Sequence, residues 1–317
     1  MTVSRRELLA GSAAASGAAV VAACSHGPER LVRHHRTPVP PSPPVSYSKF
    51  MVGTGTTYAN RVQALVPGAR AVRNYHDAVN DIPLQWPVWL FPDGTTGPVV
   101  LSIRPMPEDL LSGRLDKQIL SMVRSAPPFS YLSAWHEAGN LPAYKHLNYL
   151  YPSGMQRVHA KMMDLCHGTN VKYGAIMCMP PPHMPKWLIP QLDWYGLDIY
   201  DWPQFHFNDS YAYPIDFNDR LKGRLDSWGE VISHVSGQAH PNLVVAETNG
   251  FNPDTRPEWV QFVGHWLKGH GGTRLIVFWT QFPDSAHGGW PWTGPYGHVA
   301  NVPAQVDLVR TLRRLSR

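Results

Sequence analysis

Two glutamates, Glu137 and Glu247, stand where apolar runs of the sequence give way to small polar residues. The first run reads FSYLSAWHEAGN over residues 129–140, and the second reads NLVVAETNG over residues 242–250. Each run predicts a short buried strand that delivers one glutamate at its C-terminal end, followed by a turn. Two such strands can bring their carboxylates together, so that one attacks a carbon atom while the other transfers a proton. We therefore expect a two-carboxylate site.

Strand-like and helix-like segments alternate eight times along residues 48–317. The predicted strands are Lys49–Val52, Ala69–Tyr75, Val99–Arg104, the run with Glu137, Val171–Met179, Leu192–Tyr200, the run with Glu247, and Arg274–Phe282. The first predicted helix ends near Leu65. The other predicted helices span Glu108–Ser125, Ser153–His167 with Ser153 as N-cap, Asp219–Val235, Pro257–Gly269 and Val302–Leu315. Eight such units predict an α/β fold, a single-domain (β/α)8 TIM barrel. An open doubly wound sheet is disfavoured because Gly53-Thr54-Gly55 lacks the full dinucleotide fingerprint.

The strand ends carry a recognisable set of residues. Catalytic groups of such barrels sit at the C-terminal ends of the strands, where Glu137 ends strand four, Glu247 strand seven and Trp279 strand eight. This arrangement resembles the clan A glycoside hydrolases, and the pair His136-Glu137 is most similar to family 26, which includes β-mannanases. The acid/base motif of that family reads His-Glu-x-Asn-Gly, whereas residues 136–140 read HEAGN, with the last two positions exchanged.

The resemblance implies a retaining glycoside hydrolase that cleaves β-glycosidic bonds in a polysaccharide by double displacement. Glu137 would be the general acid/base and Glu247 the nucleophile, with their carboxylates about 5–5.5 Å apart. Taken alone, either glutamate could be an ordinary ion-paired or surface residue. A non-catalytic carbohydrate-binding surface lipoprotein on a TIM barrel is the alternative. A metal-dependent deacetylase or an esterase is disfavoured because its metal-ligand or Gly-x-Ser-x-Gly motif is missing.

Further residues are expected to bind substrate. Tyr200 is placed as the clan's strand-six tyrosine, whose hydroxyl hydrogen-bonds the nucleophile, and Trp279 resembles its sugar-platform tryptophan; core packing is the alternative for both. His136 would bind a sugar hydroxyl or tune the neighbouring acid, unless it is a satisfied buried histidine. Asn140 and Trp202 complete the substrate-binding set.

Two arginines, Arg73 on strand two and Arg104 on strand three, are candidate partners for Glu247. One of them, rather than both, is expected to hold Glu247 ionised through a charge-assisted contact.

The chain also contains 12 Trp and 13 Tyr, which suits either a heavy core or a groove for sugars. The loop aromatics expected to line a cleft, without the sequence showing which of them do, are Trp135, Trp202, Phe205, Trp290, Trp292 and Tyr296.

The histidines and cysteines do not form a metal motif. The sequence has no His-Glu-x-x-His, no paired Cys-x-x-Cys and no acidic cluster with ligand spacing, so neither a metal nor a cofactor is expected. The loop histidines are better explained as solvated or sugar-binding. Cys166 and Cys178 could form a disulfide after export, but two small unpaired core residues are the preferred interpretation.

The first 47 residues predict export and a tether. Residues 1–24 fit a twin-arginine signal, with Ser4-Arg5-Arg6 before a weakly apolar run and Cys24 at the lipobox position. Lipidation at Cys24 would anchor the protein to the cell membrane outside the cytoplasm; ordinary cleavage with Cys24 lost or unmodified is the alternative. Residues 25–47 form a Pro-rich linker.

Charge distribution excludes one class of partner. Residues 1–49 contain six of the 28 Lys and Arg and two of the 23 Asp and Glu, which leaves the predicted barrel nearly neutral. A nucleic-acid partner is therefore not expected. We expect a monomer that acts on a polysaccharide or oligosaccharide. Mannan, xylan, another β-glycan and a cell-envelope polysaccharide all remain open as substrates.

Overall fold

A closed barrel of eight parallel strands forms the centre of the protein. The computed structural model describes residues 51–55, 69–94, 96–138, 151–178, 181–201, 220–250, 256–269, 274–278, 310 and 313–314. The strands are β1 (Met51–Gly55), β2 (Ala69–Val79), β3 (Val99–Arg104), β4 (Ser130–Ala134), β5 (Val171–Met177), β6 (Trp194–Asp201), β7 (Leu243–Gly250) and β8 (Arg274–Phe278). Each strand pairs with the next, and β8 pairs with β1. The predicted α/β barrel is confirmed. The predicted signal and linker lie outside the described residues.

Helices cover the outside of this barrel. They are α1 (Pro107–Leu111), α2 (Asp116–Arg124), α3 (Pro152–Cys166), a 3-10 helix (Pro181–Lys186), α4 (Arg220–Ser236) and α5 (Arg256–Gly269). Helix α2 shows why these segments are helical. It buries Ile119, Met122 and Val123 on one face, and its charged ends, Asp116 and Arg124, oppose the helix dipole.

Three local predictions were wrong. The helix predicted over Glu108–Ser125 is two helices, because Gly113 adopts a left-handed φ of 84° between them. Ser153 is not an N-cap: Tyr151 holds that position, and Pro152 supplies the preset φ of the first turn. Strand β4 ends at Ala134, so Glu137 follows the strand by three residues. The predicted helix ending near Leu65 lies outside the described residues, as does nearly all of the predicted closing helix.

The core has two layers, one between barrel and helices and one inside the barrel. The inner layer consists of Ala71, Val100, Tyr131, Ile176, Trp194, Val244 and Ala246. Its largest member is Trp194, whose indole N–H donates to the Lys172 carbonyl at 2.9 Å and whose ring meets Tyr131 edge-on at 5.9 Å. Gly174 and Gly196 make room for this indole, since a Cβ on either would overlap it. We call the Trp194 and Tyr131 layer the barrel floor.

Two further features bear on the predictions. No disulfide joins Cys166 to Cys178, as preferred from the sequence. Burial raises the pKa of the Cys166 thiol, so Cys166 is an inert core residue.

Among the helices that the structure describes, none has both the length and the apolar composition needed to span a bilayer.

Candidate active site

Polar side chains fill the barrel interior beyond the floor. Arg73, Ser102 and Ser133 each lie two residues C-terminal to a residue of the inner layer, and Asp198 lies four residues beyond Trp194. Because strand side chains alternate between faces, these four share the inner face with the floor but lie nearer the C-terminal ends of the strands. All four are completely buried, and His136, just after β4, is 6% exposed. We call these five residues the polar chamber.

The chamber is costly to bury, which distinguishes it from ordinary core. A cation, a carboxylate and an imidazole have all been withdrawn from water, and each loses hydration free energy on burial. Within the part of the chain that the structure describes, Ser102 Oγ, Ser133 Oγ and His136 Nδ1 have no hydrogen-bond partner. Buried polar atoms of this kind mark places where a ligand can complete the hydrogen bonding. The floor half of the barrel, by contrast, is apolar.

Arg73 and Tyr75 form one wall of the chamber. The Arg73 guanidinium lies 4.8 Å from the centre of the Tyr75 ring, two residues further along β2. The side chain therefore runs toward the C-terminal end of the strand, and the ring face favours its positive charge. Through the backbone register, Tyr75 also lies level with Ser102 and Ser133 on the neighbouring strands.

His136 is buried as a neutral imidazole beside this wall. Its ring meets the Tyr75 ring edge-on, with centroids 5.5 Å apart. Burial first, and then the positive charges of Arg73 and Arg104, hold the pKa of His136 well below its usual value. Both arginines therefore act on the same imidazole. That one of them holds Glu247 ionised stays a prediction.

Glu137 sits on a tightly held turn. Its φ is 56° and that of Trp135 is 53°, both in the left-handed region that non-glycine residues rarely occupy. The Glu137 N–H donates to the Ile176 carbonyl on β5 at 2.9 Å, and the Trp135 N–H donates to the Ile103 carbonyl on β3 at 3.0 Å. Such backbone conformations cost about 1–3 kcal/mol each and cluster at functional sites. The turn is thus bonded to both strands that flank β4, namely β3 and β5, and it fixes the Glu137 backbone just beyond the end of β4.

Trp135 does not line a cleft, contrary to expectation for a loop aromatic. It is 1% exposed, and its indole N–H donates to the Pro105 carbonyl at 2.7 Å. Its left-handed φ turns the side chain into the core instead of into solvent. Trp135 therefore anchors the turn that carries Glu137.

Glu247 lies on β7 beside Asp198 of β6. Leu197 is in register with Val245, but Asp198 is in register with Glu247, so β7 has one extra residue at this point. Such bulges locally change the aim of a strand and are over-represented next to active sites. The Tyr200 backbone continues the same ladder opposite Asn249.

Four predicted site residues lie outside the described residues: Asn140, Trp202, Trp279 and the lipidation site Cys24.

Asp198, Ser102 and Ser133 were missed from the sequence. The sequence did contain a signal for Asp198. Alternation from Trp194 places Gly196 and Asp198 on one face of a predicted buried strand, and a buried carboxylate is rare unless it is paired or functional. The serines carry no such signal, since small hydroxyls are common in strands.

No group of three or more His, Cys, Asp or Glu able to hold a metal ion occurs among the described residues.

Comparisons with known proteins identify the fold. No protein-family model matches the sequence, and no curated protein matches it. A GH128 (subgroup VII) oligosaccharide-binding protein from Trichoderma gamsii aligns with a TM-score of 0.52 and 10% identity over 87% of this chain and 98% of its own. ZgEngAGH5_4, solved with a cellotriose, aligns with a TM-score of 0.51 and 10% identity over 81% of this chain and 86% of its own.

A GH26 β-mannanase from Bacteroides ovatus also aligns, at 11% identity and a TM-score of 0.49, over 86% of this chain and 89% of its own. The likenesses to the GH128 and GH5 structures establish the fold, since identities this low carry no more than that. The chain has the α/β barrel found in clan A glycoside hydrolases, as its resemblance to that clan implied.

Proposed function

We propose that the protein is a retaining glycoside hydrolase that cleaves β-glycosidic bonds in a polysaccharide. Glu137 is the proposed general acid/base and Glu247 the proposed nucleophile. The supporting observation is the polar chamber, in which Arg73 of β2, His136 and Asp198 of β6 are buried. His136 precedes Glu137 in the chain, and Asp198 is in register with Glu247. A barrel packed for stability alone would continue the apolar floor into this space.

The charges of the chamber suit these roles. Arg73 and Arg104 favour the ionised form of any carboxylate nearby, which a nucleophile requires. His136 stays neutral, so its ring can both donate and accept hydrogen bonds to sugar hydroxyls without adding a third positive charge. The fixed turn at Glu137 holds one carboxyl group in place, which retaining chemistry needs at both of its steps.

The proposed substrate is a β-linked polysaccharide or oligosaccharide. The similar GH5 structure was solved with a cellotriose, and the similar GH128 protein is described as oligosaccharide-binding. Tyr200, Trp279, Asn140 and Trp202 are proposed to contact the sugar. We further propose twin-arginine export, a lipid anchor at Cys24 and a monomeric protein.

A second candidate is oligosaccharide binding without catalysis. The description of the GH128 protein as oligosaccharide-binding favours it, because a barrel of this kind can serve as a binding module. Both candidates need the chamber, but only the enzyme needs Glu137 and Glu247.

The test is release of reducing sugar from β-mannans, xylans, glucans and envelope polysaccharides. Glu247→Ala should abolish turnover. Glu137→Ala should lower polysaccharide turnover about 10²–10⁴-fold yet retain activity on substrates with activated leaving groups, which need no protonation. Glu230→Ala, on the exposed side of α4, is the matched control and should match the wild type.

Each result separates the two candidates. Turnover that survives Glu247→Ala would refute the proposed nucleophile. Binding of one glycan without turnover, unchanged in both glutamate variants, would identify a binding module instead.

A further inference from the structure

An apolar segment covers the outside of the barrel between β2 and β3. Residues 82–91 read IPLQWPVWLF, and they are not helical. Gln118 of α2 donates to the Ile82 carbonyl at 2.7 Å, Ser121 Oγ to the Leu84 carbonyl at 3.2 Å, and the Trp86 N–H to Ser125 Oγ at 2.7 Å. The segment therefore runs alongside α2, held by three hydrogen bonds at regular steps.

Only one face of this segment is used by the fold. Ile82, Trp86 and Phe91 are buried, at 4%, 4% and 2% exposure. Leu84, Val88 and Leu90 point outward instead, at 73%, 54% and 64% exposure. Three large aliphatic side chains exposed within seven residues form a patch, whereas singly exposed apolar residues need no explanation.

The neighbouring face of α2 is basic. Lys117, Leu120, Ser121 and Arg124 follow the spacing i, i+3, i+4, i+7, so they share one face of the helix. Together with Ser125 they line an open groove of about 720 Å³. The lining contains two cations and no acidic residue. The nearest acid of the helix, Asp116, is paired with Lys161 of α3 at 2.6 Å.

We propose that this surface, residues 82–91 with Lys117 and Arg124 and here called the basic flank, docks on a membrane that contains anionic lipids. Exposed aliphatic side chains beside cations are the combination that binds a lipid surface, since the aliphatic groups enter the headgroup region while the cations meet phosphates. A glycan is a poorer fit, because Leu and Val lack the flat ring faces on which sugars stack.

The chain can reach this arrangement. The 26 residues between Cys24 and Met51 span up to about 90 Å when extended. If Cys24 is lipidated as proposed above, such a tether lets any side of the barrel touch the membrane, and the surface chemistry selects the basic flank. Docking does not depend on the proposed catalysis, so the two can fail separately.

Sedimentation with lipid vesicles tests the docking. The full-length chain carrying Cys24→Ser lacks an acyl anchor, and the difference between this parent and its flank variants reports the basic flank. It should sediment with vesicles of phosphatidylcholine and phosphatidylglycerol, and less with phosphatidylcholine alone. In the same background, Lys117→Ala/Arg124→Ala should lower the partition coefficient about 25-fold, because each cation contributes about fivefold. Leu84→Ser/Leu90→Ser should lower it at least about tenfold.

Matched controls remove an exposed apolar residue and an exposed cation elsewhere. Tyr151→Ser and Lys186→Ala should bind like the parent, and thermal melts should show that all variants are folded. Equal binding by the parent and both flank variants would overturn the proposal. So would a vesicle-independent dimer that the flank variants dissociate, because the flank would then be an interface between two copies.

Discussion

Replacing Gly174 by alanine tests whether the barrel floor is packed as the structure shows. A Cβ at Gly174 would overlap Cδ2 and Cε2 of the Trp194 indole and lie 2.5 Å from the Trp194 carbonyl oxygen. The indole cannot simply swing away, because its N–H is bonded to the Lys172 carbonyl and its ring packs against Tyr131. The carbonyl oxygen belongs to the paired strand β6, so relief requires that β5 and β6 move apart.

The expected cost follows from these contacts. Overpacking a core usually costs about 1–3 kcal/mol, and a clash that includes backbone belongs at the upper end. We therefore expect Gly174→Ala to lower the free energy of unfolding by about 3 kcal/mol, or the melting temperature by roughly 6 °C. Gly196→Ala should cost less, about 1–2 kcal/mol, because its closest contact is the Ile176 side chain at 2.7 Å.

Thermal and urea unfolding followed by circular dichroism would measure these differences. Gly269→Ala is the control, since nothing lies within 4 Å of a Cβ there, and its stability should match the wild type. If Gly174→Ala were as stable as Gly269→Ala, the indole would not occupy the barrel interior as described, and the floor beneath the chamber would be wrongly assigned.

Two further predictions concern buried groups. Burial lowers the pKa of His159 to about 4, so the unfolded chain takes up a proton first as pH falls below its ordinary pKa of about 6.5. The free energy of unfolding in urea should fall by up to roughly 3 kcal/mol as the pH is lowered to about 4, and it should fall less in His159→Phe. Trp135→Phe removes the donor to the Pro105 carbonyl and should cost about 1–3 kcal/mol. It should also lower kcat more than it raises KM, because it loosens the turn carrying Glu137; unchanged kcat would contradict that role.

The barrel could be predicted because its signals are local. Buried strands such as Val99–Arg104 are short apolar runs, and α4 carries Leu225, Trp228 and Ile232 at helical spacing; all three are fully buried. Boundaries were less certain where one residue overrides a pattern. Gly113 divides a helix that hydrophobic periodicity alone would continue, and Pro152 moves the start of α3.

The candidate site could be predicted only in part. Glu137 and Glu247 were proposed because each follows an apolar run, but the sequence does not show that β7 carries an extra residue beside Asp198. Trp135 was misjudged because an exposed loop and a buried turn have the same composition. Its left-handed backbone, which sends the indole into the core, depends on hydrogen bonds to β3.

The sequence by itself determined the order of strands and helices and which apolar runs become strands, because these depend on neighbours a few positions apart. Only the tertiary structure decided that Arg73, Ser102, Ser133, His136 and Asp198 share one chamber. They come from four strands and a turn, and they meet because β8 pairs with β1 and closes the sheet. Closure sets the register between strands, and register selects which buried side chains face one another across the barrel.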